Sequence, residues 1–307
     1  MAQSGVIRWH YNDMPEFSIE DIMGLTRRQR VLSEHDLQIL EGLLRYNYLT
    51  TEQVSRFWLM SLRMAEKRLA RLYQWGLADR GAIPASHGGR PHWAYALSAR
   101  GFDVLVRTDH ALAREWIEDW RPKSETGSQR VSALHELGLN DVCIAICETA
   151  KALGRPVVDW EGSREAGQKF VANKVTHEWQ RIDPDAVILL DQSQPLMIEY
   201  ERSGRDTKFH KKLRAMRSYL VGRQWQTRYP REPWVVYAIP AGTGTQGVVG
   251  GSFGGMALRA ELSGARNYLL LDEDSWVNGT WTAMTGEGAL VNFWDTISGN
   301  SKLGKPR

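Results

Sequence analysis

Cysteine and long apolar runs are both scarce in this sequence. Cys143 and Cys147 are the only cysteines among 307 residues, and they lie in an apolar stretch at the spacing of one helical turn. This pattern predicts buried thiols in a reducing compartment. No segment reaches about 18 consecutive apolar residues, as a membrane helix would require, and the first residues lack the apolar region of a secretory signal. We therefore expect a cytoplasmic protein with no membrane partner.

A large excess of charge is also lacking. The chain has 39 Lys and Arg residues against 36 Asp and Glu residues, a formal net charge of +3, which is too small to indicate a nucleic-acid partner. Only local clusters of basic residues could indicate one. With 42% hydrophobic residues, a chain of this length can bury two modest cores, so we expect two domains.

Three helices and a hairpin are predicted in the first part of the chain. Residues 33–36 and 50–53 have the pattern of capping boxes ahead of apolar residues at helical spacing. A third helix is expected at 61–75 because Ser61 can open it and Gly76 follows it. Two extended segments, 77–83 and 93–97, then flank a glycine-containing basic turn, and another helix follows. This order is typical of a winged helix-turn-helix domain.

The third predicted helix has one apolar face and one basic face. On a helical wheel the apolar side contains Leu62, Ala65, Leu69 and Leu72, and the opposite side contains Arg63, Lys67, Arg71 and Gln74. The last helix of a helix-turn-helix enters the major groove, where Arg can bind guanine and Gln can bind adenine. The predicted DNA contacts of this domain are Arg56, Arg63, Lys67, Arg68, Arg71, Gln74 and Arg90. A solvated helix face and a protein-binding winged helix remain as alternatives.

The rest of the chain alternates between predicted helices and strands. Helices are expected at 131–153 and 207–221, and strands at 156–160, 181–190, 195–200, 234–239 and 268–271, which predicts an α/β domain with a buried sheet. From residue 205 to 231 there are nine basic residues and one acid. Lys211 and Lys212 in this cluster are predicted contacts to a DNA backbone. The glycine-rich segment 241–255 lacks the Gly-Lys-Ser/Thr ending of a phosphate-binding loop.

Three carboxylates are the candidate catalytic groups. Glu199 and Glu201 would point to the same side of one strand, and Asp185 would face them across the sheet. Together they could bind Mg²⁺, with Glu136 of the preceding helix as a further carboxylate. The alternative is that Asp185 caps a turn and that the two glutamates pair with nearby arginines.

Pro184-Asp185 followed by Glu199-Tyr200-Glu201 resembles the PD-(D/E)xK nuclease-like fold. The motif of that fold places a lysine where this chain has Glu201, and non-cleaving members with degenerate motifs are common. Lys208 or Lys211 on the following helix could replace the missing charge. The resemblance implies a restriction-endonuclease-like α/β domain after the winged helix.

The order of the motifs, together with His135-Glu136-Leu137-x-x-Asn140, resembles the replication-relaxation family of bacterial plasmids and mobile elements over residues 33–220. The resemblance implies a role in replication of a plasmid or integrative element or in relaxation of its DNA. A DNA-binding factor could also act in transcriptional control. The expected partners are double-stranded DNA and replication or conjugation proteins. A homodimer is expected only because helix-turn-helix proteins are so often dimers. The protein would be associated with the nucleoid or a plasmid.

Two hypotheses on the second domain follow, and we favour the first because the motif lysine is absent. In the first, the domain is non-catalytic and the protein is a DNA-binding factor that needs no cofactor. In the second, the protein is a Mg²⁺-dependent endonuclease or nickase with Asp185, Glu199 and Glu201 as metal ligands. A protein-binding adaptor is a third and weaker hypothesis.

The predicted organisation is therefore a series of five segments. Asn278-Gly279 between two tryptophans predicts the turn of a hairpin in the last of them. In chain order the segments are an extension (1–32), a winged helix-turn-helix domain (33–120), a linker (121–130), a nuclease-like domain (131–275), and a C-terminal hairpin and tail (276–307).

Overall fold

The structure is a computed structural model in which the chain divides into two compact units, Met1–Asn140 and Asp141–Arg307. The described residues are 9–10, 32–83, 92–122, 129–173, 178–191, 194–200, 207–240, 267–285 and 289–298. Within these ranges no helix is both long and apolar enough to span a membrane. Most of the predicted linker, 121–130, and the glycine-rich segment fall outside them, so the predicted domain boundaries stay predictions.

The first unit contains short helices and a four-stranded sheet. Its elements are β1 (Trp9–His10), α1 (Glu34–Tyr46), β2 (Tyr48–Thr50), α2 (Thr51–Phe57), α3 (Leu62–Gln74), β3 (Ala78–Ile83), β4 (His92–Leu97), α4 (Ala99–Arg107), α5 (Ala111–Glu115) and the start of α6 (Gln129–Ala152). The sheet order is β1-β3-β4-β2. Strands β3 and β4 pair antiparallel over six residue pairs, from Ala78–Leu97 to Ile83–His92, as the sequence predicts.

Local capping explains where these helices begin. Ser33 and Thr50 are N-caps of α1 and α2, and each forms a complete capping box, with Asp36 and Gln53 respectively. Ser61 caps α3 through the backbone N–H of Met64. The three predicted helix starts are thereby confirmed.

The second unit is built on a seven-stranded mixed sheet. Its elements after α6 are β5 (Val157–Gly162), α7 (Ser163–Ala166), β6 (Gln168–Asn173), β7 (Glu178–Ile182), β8 (Ala186–Leu190), β9 (Gln194–Tyr200), α8 (Thr207–Val221), a 3₁₀ turn (Gln224–Thr227), β10 (Trp234–Ile239), β11 (Tyr268–Asp272), α9 (Glu273–Val277), β12 (Thr282–Thr285), β13 (Leu290–Asn292) and α10 (Phe293–Ile297).

The large sheet has the order β13-β12-β11-β10-β9-β8-β5. Strands β9, β10 and β11 run parallel, and the neighbours on both sides are antiparallel. Helix α8 connects β9 to β10 and contributes Leu213, Met216 and Leu220 to a core that also contains residues of β8 to β12. Within the described ranges, strands β6 and β7 pair only with each other. The chain is thus a mixed α/β protein, as expected.

Three local predictions are wrong. The strand expected at 181–190 is two strands, β7 and β8, because Pro184 has no N–H to donate to a ladder. Asn278-Gly279 is not a hairpin turn: Asn278 ends α9, and Gly279 follows it with φ +69°, the conformation that favours glycine after a helix. The antiparallel pair near the C-terminus is β12 with β13. Leu62, predicted on the apolar face of α3, is 46% exposed because it occupies the first turn.

Candidate functional site

Helix α3 presents an exposed basic face in the first unit. One side of the helix is fully buried and contains Ala65, Leu69 and Leu72. The opposite side therefore faces solvent. Arg63, Lys67 and Gln74 are exposed on that outward face, as the helical wheel predicts. These three side chains are free to reach a ligand that lies along the helix.

Arg68 and Arg71, two other predicted DNA contacts, bind a buried carboxylate. Asp36 of α1 is completely buried, and its side chain accepts hydrogen bonds from Arg68 Nη1 at 3.0 Å and from Arg71 Nη2 at 2.6 Å. It also accepts from the backbone N–H and the hydroxyl of Ser33 at 2.9 and 2.7 Å. A helical wheel of α3 cannot reveal this, because the carboxylate lies on another helix.

The electrostatics of Asp36 follow from these contacts. Burial alone would raise its pKa, but the hydrogen bonds and charge of Arg71 and the hydrogen bonds from Ser33 lower it below the ordinary value. The carboxylate is therefore ionised at neutral pH and holds the two guanidinium groups. Arg68 and Arg71 join α3 to α1, so they position the exposed face of α3.

The β3–β4 hairpin is braced by an arginine that sequence reasoning missed. The guanidinium of Arg80 lies 4.1 Å from the ring centroid of Tyr73 and 4.4 Å from that of Trp93. Such stacking favours the cation and joins the end of α3 to both strands. Arg56 is half-buried with interactions of its own. Arg90 lies outside the described residues.

The residues of the α6 motif have structural contacts in the first unit. Asn140 is buried and donates to the carbonyl oxygens of Tyr46 and Tyr48 at 3.3 and 2.8 Å. The Leu137 carbonyl accepts from the side chain of buried Gln53 at 2.8 Å. Glu136, the predicted additional catalytic carboxylate, belongs to this unit and acts electrostatically on Tyr48, whose pKa is raised first by burial and then by this charge.

In the second unit, Asp185 and Glu199 meet at one lysine. Asp185 immediately precedes β8, and its backbone N–H donates to the Ile198 carbonyl at 3.0 Å. Its side chain accepts from the Tyr200 N–H at 2.8 Å, which holds the carboxylate beside β9. Lys212 Nζ of α8 lies 3.0 Å from Asp185 Oδ1 and forms an ion pair with Glu199 Oε2.

The pairing of Lys212 with both carboxylates is a contact that sequence reasoning missed. The expected contact of Lys212 with a DNA backbone stays a prediction, and Lys208 or Lys211 was expected to supply the missing motif charge. Lys211 is exposed instead, and the side chain of Lys208 and all of Glu201 lie outside the described part of the chain. Lys211 and Lys212 are neighbours on α8, and they differ in that the side chain of Lys212 points toward the sheet and that of Lys211 is exposed.

Lys212 remains protonated in this setting. Burial would lower its pKa, but Glu199 and then Asp185 outweigh that effect and raise it above the ordinary value. Glu199 is only 3% exposed, within a strand that is buried along its whole length, so its charge requires such a partner. Lys212 can therefore act as a fixed positive charge but not as a base at neutral pH.

The two carboxylates have the donor chemistry that Mg²⁺ prefers, and they already converge on a cationic group. No cluster of at least three His, Cys, Asp or Glu residues suited to a metal occurs among the described residues. Two carboxylates with substrate phosphate oxygens can suffice for Mg²⁺. A metal at this point would have to compete with the ammonium group.

The outer surface of α8 is basic beside this group. Lys211, Arg214 and Arg217 are exposed at intervals of one helical turn, while Leu213 and Met216 face the core. The aromatic residues Tyr219 and Tyr229 are buried in the same core. They are core residues and do not form a stacking surface.

Neither a curated protein nor a solved structure matches the chain. The model of the replication-relaxation family matches residues 40–232, which is more than half of the sequence. The matched range begins in α1 and ends just before β10, so it includes the α3 face, the α6 motif and the Asp185–Glu199–Lys212 group. The chain belongs to the replication-relaxation family.

Proposed function

We propose that the protein binds double-stranded DNA during replication or relaxation of a plasmid or mobile element, with its first unit acting as a winged helix-turn-helix domain. The observation that carries the proposal is the exposed Arg63, Lys67 and Gln74 face of α3, next to the β3–β4 hairpin. Family membership supports a role in replication or relaxation.

In the proposed complex α3 enters the major groove. Arg63 would donate two hydrogen bonds to a guanine edge, Gln74 would bind adenine, and Lys67 would contact phosphate. The β3–β4 hairpin would be the wing. Arg90, which lies between these strands in the sequence, and Arg56 of α2 would contact phosphate. Arg68 and Arg71 would hold α3 at the correct angle through Asp36.

Fluorescence anisotropy with labelled duplex DNA tests this proposal. Arg63→Ala should weaken binding about five-fold or more if the residue makes a bidentate base contact worth about 1–3 kcal/mol. Lys67→Ala should weaken binding to all sequences alike and lessen its salt dependence. Arg107→Ala, an exposed arginine of α4, is the matched control. Unchanged affinity in both α3 variants would refute the assignment of α3 as the reading helix.

A second candidate function is Mg²⁺-dependent cleavage or nicking of DNA by a PD-(D/E)xK-like second unit. The specific observation in its favour is that an aspartate, a glutamate and a lysine, the components of that motif, meet at Asp185, Glu199 and Lys212. The lysine comes from a helix and not from the strand, so the absence of lysine at position 201 does not exclude the chemistry.

In this second candidate function, each residue of the Asp185–Glu199–Lys212 group would have a separate role in cleavage. Asp185 and Glu199 would hold Mg²⁺, which when bound supplies a Lewis acid and lowers the pKa of a coordinated water. Lys212, protonated at neutral pH, would stabilise negative charge on the phosphate oxygens. The Tyr200 N–H would keep the Asp185 carboxylate oriented toward the group.

Incubation of supercoiled plasmid with Mg²⁺ or Mn²⁺ tests the second candidate. Wild type should nick or linearise the plasmid, and Asp185→Ala should abolish cutting while duplex binding is retained. Asp191→Ala is the control, because Asp191 lies at the opposite end of β8 and pairs with Arg155. A mobility shift without cutting would leave a DNA-binding factor with an inactive nuclease-like unit. Cutting that survives Asp185→Ala would place the activity elsewhere.

We further propose that the protein binds DNA as a homodimer and acts with replication or conjugation proteins of the same element. Dimeric helix-turn-helix proteins bind half-sites about one helical turn apart. Light scattering of the protein with and without DNA gives the mass that tests the dimer.

A further inference from the structure

Strands β6 and β7 form a two-stranded ribbon whose inner face is fixed to α8. Phe170 of β6 and Ile182 of β7 are buried in the core of the second unit. The Phe170 ring meets that of Tyr219 edge to face, with centroids 5.4 Å apart. Because side chains alternate along a strand, the neighbours of Phe170 on β6 and of Ile182 on β7 point away from the core.

The outer face of the ribbon combines cations with an exposed tryptophan. Lys169 lies directly opposite Arg181, and Val171 lies directly opposite Trp179, so all four share one face. Lys169 and Arg181 are exposed, and Trp179 is 68% exposed. A large aromatic surface thus remains in solvent next to two positive charges.

The two cations of this face lie directly opposite each other. Like charges in that arrangement repel, and among the described residues Arg181 forms an ion pair with Asp183. Phosphate would satisfy both cations, and a nucleobase offers a flat face on which tryptophan can stack. The charge and the aromatic ring together therefore fit a nucleic acid better than an apolar protein surface.

The ribbon also leads directly into the carboxylate group. Strand β7 ends at Ile182, and the next residues are Asp183, Pro184 and Asp185. Only Asp183 and Pro184 therefore separate the ribbon from Asp185 along the chain. The exposed Lys211 of α8, the helix on which the ribbon packs, adds positive charge in the same unit.

We propose that the outer face of the β6–β7 ribbon binds DNA beside the carboxylate group, with Trp179 stacked on an unpaired base and Lys169 and Arg181 on the flanking phosphates. The proposal rests on the proposed DNA-binding function and adds a preference for locally unpaired strands. Such strands occur where a duplex is opened for replication or relaxation.

The test compares two labelled DNAs, a duplex and the same duplex with a short single-stranded gap, in binding to full-length protein. Trp179→Ala should weaken binding to gapped DNA about five-fold or more, because base–aromatic stacking contributes about 1–3 kcal/mol per base. Trp179→Phe should restore most of the affinity. Lys169→Ala should weaken gapped binding and reduce its salt dependence. Val158→Ala and Lys151→Ala, exposed positions on β5 and α6, are the matched controls.

The outcomes separate this proposal from the proposed function. The ribbon site alone would be overturned if wild type bound gapped and duplex DNA with equal affinity and if Trp179→Ala and Lys169→Ala did not change either affinity. In that outcome Arg63→Ala would still weaken binding to the duplex. No binding of either DNA by wild type would overturn both. If Trp179→Ala left DNA affinity unchanged but reduced the molecular mass measured by light scattering, the ribbon would be a contact between copies of the chain, and the DNA site would be refuted.

Discussion

Replacing Asp36 with alanine should destabilise the first unit strongly. The substitution removes a fully buried carboxylate that accepts hydrogen bonds from Ser33, Arg68 and Arg71. Removal of one partner of a buried ion pair costs about 3–5 kcal/mol, because the other charge is left without compensation. Arg71 is 39% exposed, so water can rehydrate it, and we expect a loss near the lower end, about 3 kcal/mol.

The assay is urea or thermal unfolding of the full chain, followed by circular dichroism. For the first unit, Met1–Asn140, about 3 kcal/mol corresponds to a lowering of its Tm by roughly 10 °C. Asp36→Asn should lose less, because its amide oxygen can still accept from Ser33. Asp103→Ala, an exposed aspartate of α4, is the control. A loss below about 1 kcal/mol in Asp36→Ala, the typical worth of a surface ion pair, would refute the buried-pair reasoning.

The pH dependence supplies an independent check on the same carboxylate. The folded pKa of Asp36 lies below the ordinary aspartate value of 3.8, so its stabilisation is present above that value and is lost as the pH falls through the folded pKa. Below about pH 4, the free energy of unfolding should therefore fall more steeply with decreasing pH in wild type than in Asp36→Asn. Equal slopes in the two proteins would show that Asp36 is not ionised in the folded state.

Three further predictions follow from buried groups. Gly101→Ala should destabilise α4 by about 1–3 kcal/mol in urea unfolding, because a Cβ would overlap the Leu77 carbonyl oxygen; wild-type stability would contradict that packing. Asn140→Ala should cost about 1–3 kcal/mol, since two buried carbonyls lose their donor, and a neutral result would mean that water replaces it. Burial, with Glu148, raises the pKa of Cys147 to about 12, so alkylation at pH 8 should be about a thousand-fold slower than in urea; rapid labelling of the native protein would exclude such burial.

Local chemistry accounts for the parts of the fold that the sequence predicts correctly. The N-caps Ser33, Thr50 and Ser61 each bond a backbone N–H within three residues, so neighbouring letters suffice to place them. Strand β2 was missed because its three residues, Tyr48–Thr50, lie between two helices and pair with β4. That pairing depends on residues more than forty positions away, and no local pattern encodes it.

Glycine and proline positions show why some local patterns mislead. An Asn-Gly pair satisfies both a hairpin turn and a helix end, because each requires a residue with positive φ. Here Asn278-Gly279 ends helix α9 and does not form a hairpin turn. Asp272 stabilises that helix because its side chain accepts a hydrogen bond from the Ser275 N–H. Pro184 was visible in the sequence, but its effect on the predicted strand was underestimated.

The position of Lys212 in the candidate site could be seen only in the three-dimensional structure. Asp185 and Glu199 were identified from strand-end positions, because Pro-Asp and an acid on the next strand are local signals. Lys212 was not, because its role depends on the direction in which α8 crosses the sheet. A cue existed in the sequence: Glu199 sits in an apolar strand and needs a cation within reach.

The same physical effect bears on the charges of both units. Arg68, Arg71 and Lys212 are predicted DNA contacts, and each is bound to a buried carboxylate. A cation that already neutralises a buried acid releases no counterion when DNA binds. The salt dependence of binding should therefore fall by about 0.9 per phosphate contact when Lys67 is removed. Removal of Arg68 should leave that slope nearly unchanged and lower the affinity only by disturbing the position of α3. Equal changes in slope for Lys67→Ala and Arg68→Ala would show that Arg68 leaves Asp36 to bind phosphate, and that the buried pair does not fix the reading helix.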